Sequence, residues 1–224
     1  TEMQDDSEVT AGFMWQKTTR ESKKYQLRGE ILSFIPVDKN VEIMLVTITN
    51  TGRMAQTVTP TAAIPLYGRS ADNIRDHRHV TSLLHRIETT DTGVLVTPTL
   101  SFDERGHQVN HMTYYCVGWS GNGEKPVDFY PTAEDFVGEG GNFERPYAIV
   151  KNAEGVKAGT KIEGLEAVGG LHFSEITLEP EEECSYLIFT GITEDIQEIR
   201  NLSKTYTTRE KVLEELEKTK AYCL

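Results

Sequence analysis

Basic charge is what this chain has least of. Lys and Arg total 23 against 35 Asp and Glu, a formal charge of -12 over 224 residues. Such an acidic surface repels a phosphate backbone, which argues against nucleic acid and anionic membranes as partners. Long apolar runs are absent as well: none approaches the roughly 18 residues that would span a bilayer. The first ten residues, TEMQDDSEVT, have neither the basic nor the apolar region of a signal peptide. Cysteine is scarce. Cys116, Cys184 and Cys223 are odd in number and far apart, so neither a disulfide framework nor a zinc knuckle is expected, and a soluble, cytoplasmic protein is. Helical periodicity is also missing until the last fifth of the chain.

What is present is alternation. With 38% hydrophobic residues the chain can bury one substantial core. In KKYQLRGEILSFIPV, Tyr25, Leu27, Ile31 and Ile35 share one face and Gln26, Arg28 and Glu30 the other, which predicts a strand wet on its polar side. In VEIMLVTITNTG, Val41, Ile43 and Leu45 alternate with Met44, Val46 and Ile48, which predicts a strand covered on both faces. TVTPTAAIPLY, SLLHRIETT, GVLVTPTLSF, HMTYYCVGW, LHFSEITL and CSYLIFTGI are further strands, each bounded by Gly, Pro, Asn or Asp. Eight or so strands without intervening helices predict an all-β fold, a mainly antiparallel β-sandwich. TEDIQEIRNLSKTY allows a short helix. TTREKVLEELEKTKAYCL predicts a C-terminal helix from near Thr208, with Thr207 and Glu210 as a capping box.

Three stretches break the alternation with dense polar groups: NIRDHRHVTSLLHR, SFDERGHQVNH and EDFVGEGGNFERP. Polar loops between rigid strands are where binding resides. His77 and His79 are two apart and would need a third ligand from His85, His107 or His111, while Arg75, Arg78 and Arg86 disfavour a cation, so no metal is expected. Ser82 lies in no nucleophile elbow. GEGG lacks the G-K-[ST] ending of a phosphate loop and precedes no helix, which leaves a tight turn or a backbone that comes close to another group. Asp103, Glu104, Asp135, Glu139 and Glu144 are acidic candidates, but their spacing sets no two of them across a scissile bond. No catalytic residue is therefore assigned.

The order FIPVDKNVEIMLVTITNTGRMAQTVT, NIRDHRHVTS, DFVGEGGNFERPYAIVKN and GGLHFSEITLEPEEECSYLIFTGI resembles the N-terminal β-sandwich of the inverting glycoside phosphorylases of glycoside hydrolase family 94. The matching pieces are the Thr47 to Thr51 turn, the Phe136 to Gly138 loop and the Leu178 to Glu182 turn, with Glu181 where the family usually has Gly. The resemblance implies a galactose-mutarotase-like supersandwich over residues 1–203, lacking its first strands, and a linker helix over 204–224 towards an (α/α)6 catalytic barrel that this sequence does not contain. It implies a homodimer in which Asp76, Arg78 and His79 contact the acceptor-sugar end of a site. It further implies no cofactor, with inorganic phosphate as co-substrate of the full enzyme and carbohydrate as ligand. The rival reading is a stand-alone carbohydrate-binding or architectural module, for which Trp15, Trp119, Tyr114, Tyr115, Phe129 and Tyr130 are the aromatics that matter.

Overall fold

The computed structural model describes residues 6–68, 78–103 and 106–222. Its backbone is a large antiparallel sheet with a smaller one on one face and helices on the other. The large sheet runs in the order β1 (Ser7–Gly12), β2 (Trp15–Ser22), β3 (Leu27–Phe34), β4 (Val41–Asn50), β16 (Glu183–Thr193), β11 (Thr113–Ser120), β8 (Gly93–Pro98), β7 (His85–Thr89) and β13 (Lys161–Glu163). The small sheet has β12 (Asp128–Thr132), β14 (Ala167–His172) and β6 (Thr61–Leu66) in that order. Two hairpin-sized pairs complete it: β15 (Ile176–Leu178) with β5 (Gln56–Val58), and β10 (Gly106–Val109) with β9 (Leu100–Asp103). The expected antiparallel β-sandwich is thus the observed fold.

The central strands are apolar on both sides because both sides are covered. Tyr115, Val117 and Trp119 of β11 face a core shared with α4 (Ile196–Thr205) and α5 (Arg209–Tyr222), while Cys116 faces the small sheet. On the helical side Trp119 stacks on Phe189 with centroids 4.7 Å apart, and its Nε1 donates to the carbonyl of Tyr206 at 2.9 Å. That bond satisfies the one polar atom of a ring otherwise lost to water. On the other side the sheets meet closely at Gly169, where a Cβ would lie 2.2 Å from that of Cys116. Burial pushes the Cys116 thiol up to about 12, so it behaves as a small core hydrophobe.

Helix α5 begins one residue later than its sequence signal suggests. Val212 N–H reaches the carbonyl of Thr208, which puts Thr208 in the capping position in place of Thr207. A hydrogen bond from Thr208 then holds the Glu210 carboxyl below its usual value. Val212 and Leu216 are buried against the sheet.

Two strand faces differ from expectation. In β3 the dry side is Leu32 and Phe34, which join the helical core. Ile31 is 42% exposed, and Tyr25 and Ile35 are exposed with it. The polar face is tolerable near the sheet interior because Glu30 accepts from Lys17 on β2 at 2.9 Å. In β4, Val41, Ile43 and Leu45 are buried, but Met44, Val46 and Ile48 are only half covered.

Candidate functional site

All three polar stretches approach one end of the sandwich. The first enters it as α1 (Arg78–Ser82), one short helical turn that runs through Leu83 and Leu84 into β7. Leu84 N–H closes the turn on the carbonyl of Thr81 at 3.1 Å, and the Leu84 carbonyl accepts from Thr99 at 2.9 Å. That second bond ties the base of the β9–β10 hairpin, the second polar stretch, beside α1. The third stretch comes in through Phe143. Its ring lines a small cavity with Ser82, His85, Tyr67 and Glu166.

The third stretch gets its shape from local bonds. Thr132 caps α2 (Ala133–Val137) by accepting from the N–H of Asp135 at 3.1 Å, and its hydroxyl donates to the Asp135 carboxylate at 2.7 Å. Asp135 is therefore engaged in a cap. Gly138 and Gly140 adopt φ of 79° and 67°, and a Cβ on Gly141 would lie 1.9 Å from the carbonyl of Val137. Only glycine fits there. Asn142 Oδ1 then accepts from the N–H groups of Glu144 and Arg145 at 3.0 and 3.1 Å. GEGG is thus a tight turn. A five-residue helix, α3 (Tyr147–Lys151), does follow it, but starts past Pro146 and not at the glycines.

His85 is a core residue of this end. It is 2% exposed, and its Nδ1 donates to the carbonyl of Leu165 at 3.1 Å. Burial holds its imidazole below the usual value, against the raising influence of the Leu165 and Gly68 carbonyls and the Glu166 charge. The neutral ring keeps its proton on Nδ1, towards the Leu165 carbonyl. His107 and His111 are exposed. No group of three or more His, Cys, Asp and Glu gathers at metal-binding spacing among the described residues.

Of the three residues assigned to sugar contact, Asp76 lies outside the described residues. Arg78 and His79 open α1, and their side chains lie outside the described residues too, as does His77. Their backbone is placed at the end where the polar stretches meet. The aromatics take a different position. Trp119, Tyr115, Phe129 and Tyr130 are buried, and Trp15 and Tyr114 pack against the cores. These six form no exposed platform of the kind a carbohydrate-binding sheet uses.

One polar cluster has no signal in the sequence. Asp128 and His172 are register partners on β12 and β14, and His172 Nδ1 donates to the Asp128 carboxylate at 2.6 Å. Tyr130, beside them, donates to the carbonyl of Ala153 at 2.5 Å. Burial, and then the Asp128 charge, push its phenol up to about 12. Lys157 Nζ lies 3.8 Å from the other Asp128 oxygen. The arrangement pins the segment 153–157 to the small sheet. Forty-four residues separate the two partners, too far for any local pattern to link them.

Comparison with known proteins gives one family. The model of the glycosyl hydrolase 94 supersandwich domain matches residues 2–209. No curated protein matches. Among solved structures, a polysaccharide lyase is similar at 10% identity and a TM-score of 0.43, over 87% of this chain and 23% of its own. A protein described as a kojibiose phosphorylase from human microbiome is similar at 9% identity and a TM-score of 0.40, over 92% of this chain and 21% of its own. The chain thus spans less than a quarter of the length of either structure. With nearly its whole length matched by one family model, this chain belongs to the glycosyl hydrolase 94 supersandwich domain family.

Proposed function

We propose that this domain is the non-catalytic N-terminal part of an inverting glycoside phosphorylase that cleaves β-linked gluco-disaccharides or oligosaccharides to sugar 1-phosphate. In this reading a catalytic (α/α)6 barrel supplies the general acid and the phosphate site. Phosphate attacks the anomeric carbon opposite the leaving group, so a single protein carboxyl group suffices, where a hydrolytic inverting enzyme needs a second to activate water. The supersandwich contributes the polar loop of Asp76, Arg78 and His79 to the acceptor-sugar end, across a cytoplasmic homodimer. Carboxylate, guanidinium and imidazole groups suit that task because they make directional hydrogen bonds to vicinal hydroxyls.

The supporting observation is the convergence of α1, the β9–β10 hairpin and the Phe143 turn at one end of the sandwich, with Trp15, Trp119, Tyr114, Tyr115, Phe129 and Tyr130 buried in or packed against the cores. A binding module would hold such rings on an exposed face. The test is catalysis by the 224-residue chain itself. We expect no release of sugar 1-phosphate from β-linked glucosides with phosphate present, and no hydrolysis without it. Release above a heat-denatured control would overturn the non-catalytic assignment.

A further inference from the structure

Tyr115 of β11 ends in a hydroxyl that the core does not use. Its register partner on β16 is Gly191, which in turn faces Val41 at the start of β4. With no side chain on Gly191 the phenol ring can cross β16; a Cβ there would lie 2.4 Å from the Tyr115 hydroxyl and 2.7 Å from the carbonyl of Asn40. The residue is 4% exposed, yet among the described residues its hydroxyl has no hydrogen-bond partner. A buried hydroxyl left unbonded is costly. Phenylalanine would fill the same space without that cost.

The hydroxyl opens into a cleft between the β3–β4 turn and α4. This cleft encloses about 270 Å³ and has Asn40, Val41, Tyr115, Glu198, Asn201 and Leu202 in its walls. Val41 and Leu202 are buried and give it an apolar strip. Polar groups with bonding capacity stand around that strip. Glu198 accepts from the Thr193 hydroxyl through Oε2 at 2.6 Å, which uses one of its two oxygens, and Asn201 is exposed on α4. Burial, and then the Glu198 charge, push the Tyr115 phenol up to about 12, so at neutral pH it is a donor. Phenol and carboxylate sense each other with no bond between them, which leaves room for a hydroxyl that accepts from one and donates to the other.

We propose that this cleft binds one neutral pyranose ring, with its C–H face on Val41 and Leu202 and its hydroxyls on the Tyr115 phenol, the Glu198 carboxylate and the Asn201 amide. Volume sets the size, since pockets for drug-sized ligands enclose roughly 300 to 1,000 Å³. Charge sets the class. Lys39, in the same wall, is engaged by Asp38 at 3.3 Å and Glu215 at 3.4 Å. An anion would therefore meet Asp38 and Glu198 with no free counter-charge, and a cation would meet the Lys39 ammonium. An uncharged molecule with several hydroxyls suits the mixture of donors and acceptors. The cleft is separate from the α1 end: β4 lies four strands from β7 in the large sheet, about 19 Å at about 4.8 Å per strand. The inference stands on the cleft alone and does not rest on the phosphorylase reading.

The probe is D-glucose, titrated into the nitrogen-15-labelled 224-residue chain and followed by its amide NMR signals. Saturable shifts are expected at Asn40, Val41, Asn201 and Leu202. Tyr115→Phe keeps the ring over Gly191 and removes only the hydroxyl, so the affinity should fall roughly three- to tenfold, the scale of one lost hydrogen bond. Asn201→Ala, on the exposed side of α4, should weaken binding by a similar factor and serves as a second variant if Tyr115→Phe disturbs the core. Failure to saturate would mean that the cleft holds water alone. Equal affinity in both variants, or inorganic phosphate shifting the same signals as glucose does, would also overturn the proposal. So would shifts confined to α1 and the β9–β10 hairpin, which would report the acceptor end of the proposed phosphorylase and leave that reading intact.

Discussion

Replacing Glu181 with glycine should make this domain more stable, although the substitution removes a side chain and adds none. Glu182 N–H donates to the carbonyl of Glu179 at 2.9 Å, which closes a four-residue turn with Pro180 and Glu181 at its centre. Proline fixes its own φ near -65°, and Glu181 sits at φ 63°. This is a type II turn, whose third position favours glycine because of that positive φ. An L-residue held there costs about 1 to 2 kcal/mol. Glycine relieves this cost but gives back about 0.4 to 1 kcal/mol through the greater freedom of the unfolded chain. The Glu181 side chain is exposed, so little else is lost. The net expectation is a gain of about 0.5 to 1 kcal/mol, or roughly 1 to 4 °C in Tm for a domain of this size. Urea denaturation of Glu181→Gly against Glu181→Ala separates the causes, since alanine keeps the strain. If alanine stabilised as much as glycine, removal of an acidic charge and not backbone relief would be responsible, and the turn argument would fail.

Two further outcomes follow from the packing. Leu216→Ala, at a position 3% exposed against the large sheet, should cost about 2 to 5 kcal/mol with an unchanged urea m-value; a cost below about 0.5 kcal/mol would mean that α5 is not docked in solution. His85 sets a pH dependence. Its folded value is depressed by burial, so the unfolded chain takes up the proton first as pH falls through about 6.5. Its contribution is therefore complete above that pH and is lost on descending towards the folded value. The urea midpoint should fall between pH 6.5 and 5, and His85→Gln should flatten that part of the slope; an unchanged slope would assign the titration elsewhere.

The strands were legible where apolar alternation was strong, as in β4, β7, β8, β11 and β16. Their faces were harder to read. β3 is apolar at Ile31 and at Leu32 and Phe34 alike, and only the position of α4 and α5 decides which side is dry. β1 and β2 were missed because SEVTAG and WQKTTRES are an exposed edge hairpin with little apolar content. Strand β12 was missed because DFYPT, buried throughout, carries an aspartate and a proline that read as a turn. The Asp128–His172 pair depends on cross-strand register, which no local window contains. The polar end was legible as three dense stretches, but not as one place, since a bond such as Thr99 to Leu84 exists only after the sheet has formed.

The proposed contribution of the α1 loop to a sugar site is most directly tested by steady-state kinetics of Arg78→Ala in the full phosphorylase proposed for this domain. Losing a hydrogen bond from a charged group costs about 1 to 3 kcal/mol. The acceptor-sugar kcat/KM in the synthetic direction should then fall roughly 5- to 150-fold, with the unfolding midpoint unchanged. Wild-type constants in both the synthetic and phosphorolytic directions would contradict the account and leave the loop a structural connection between β6 and β7.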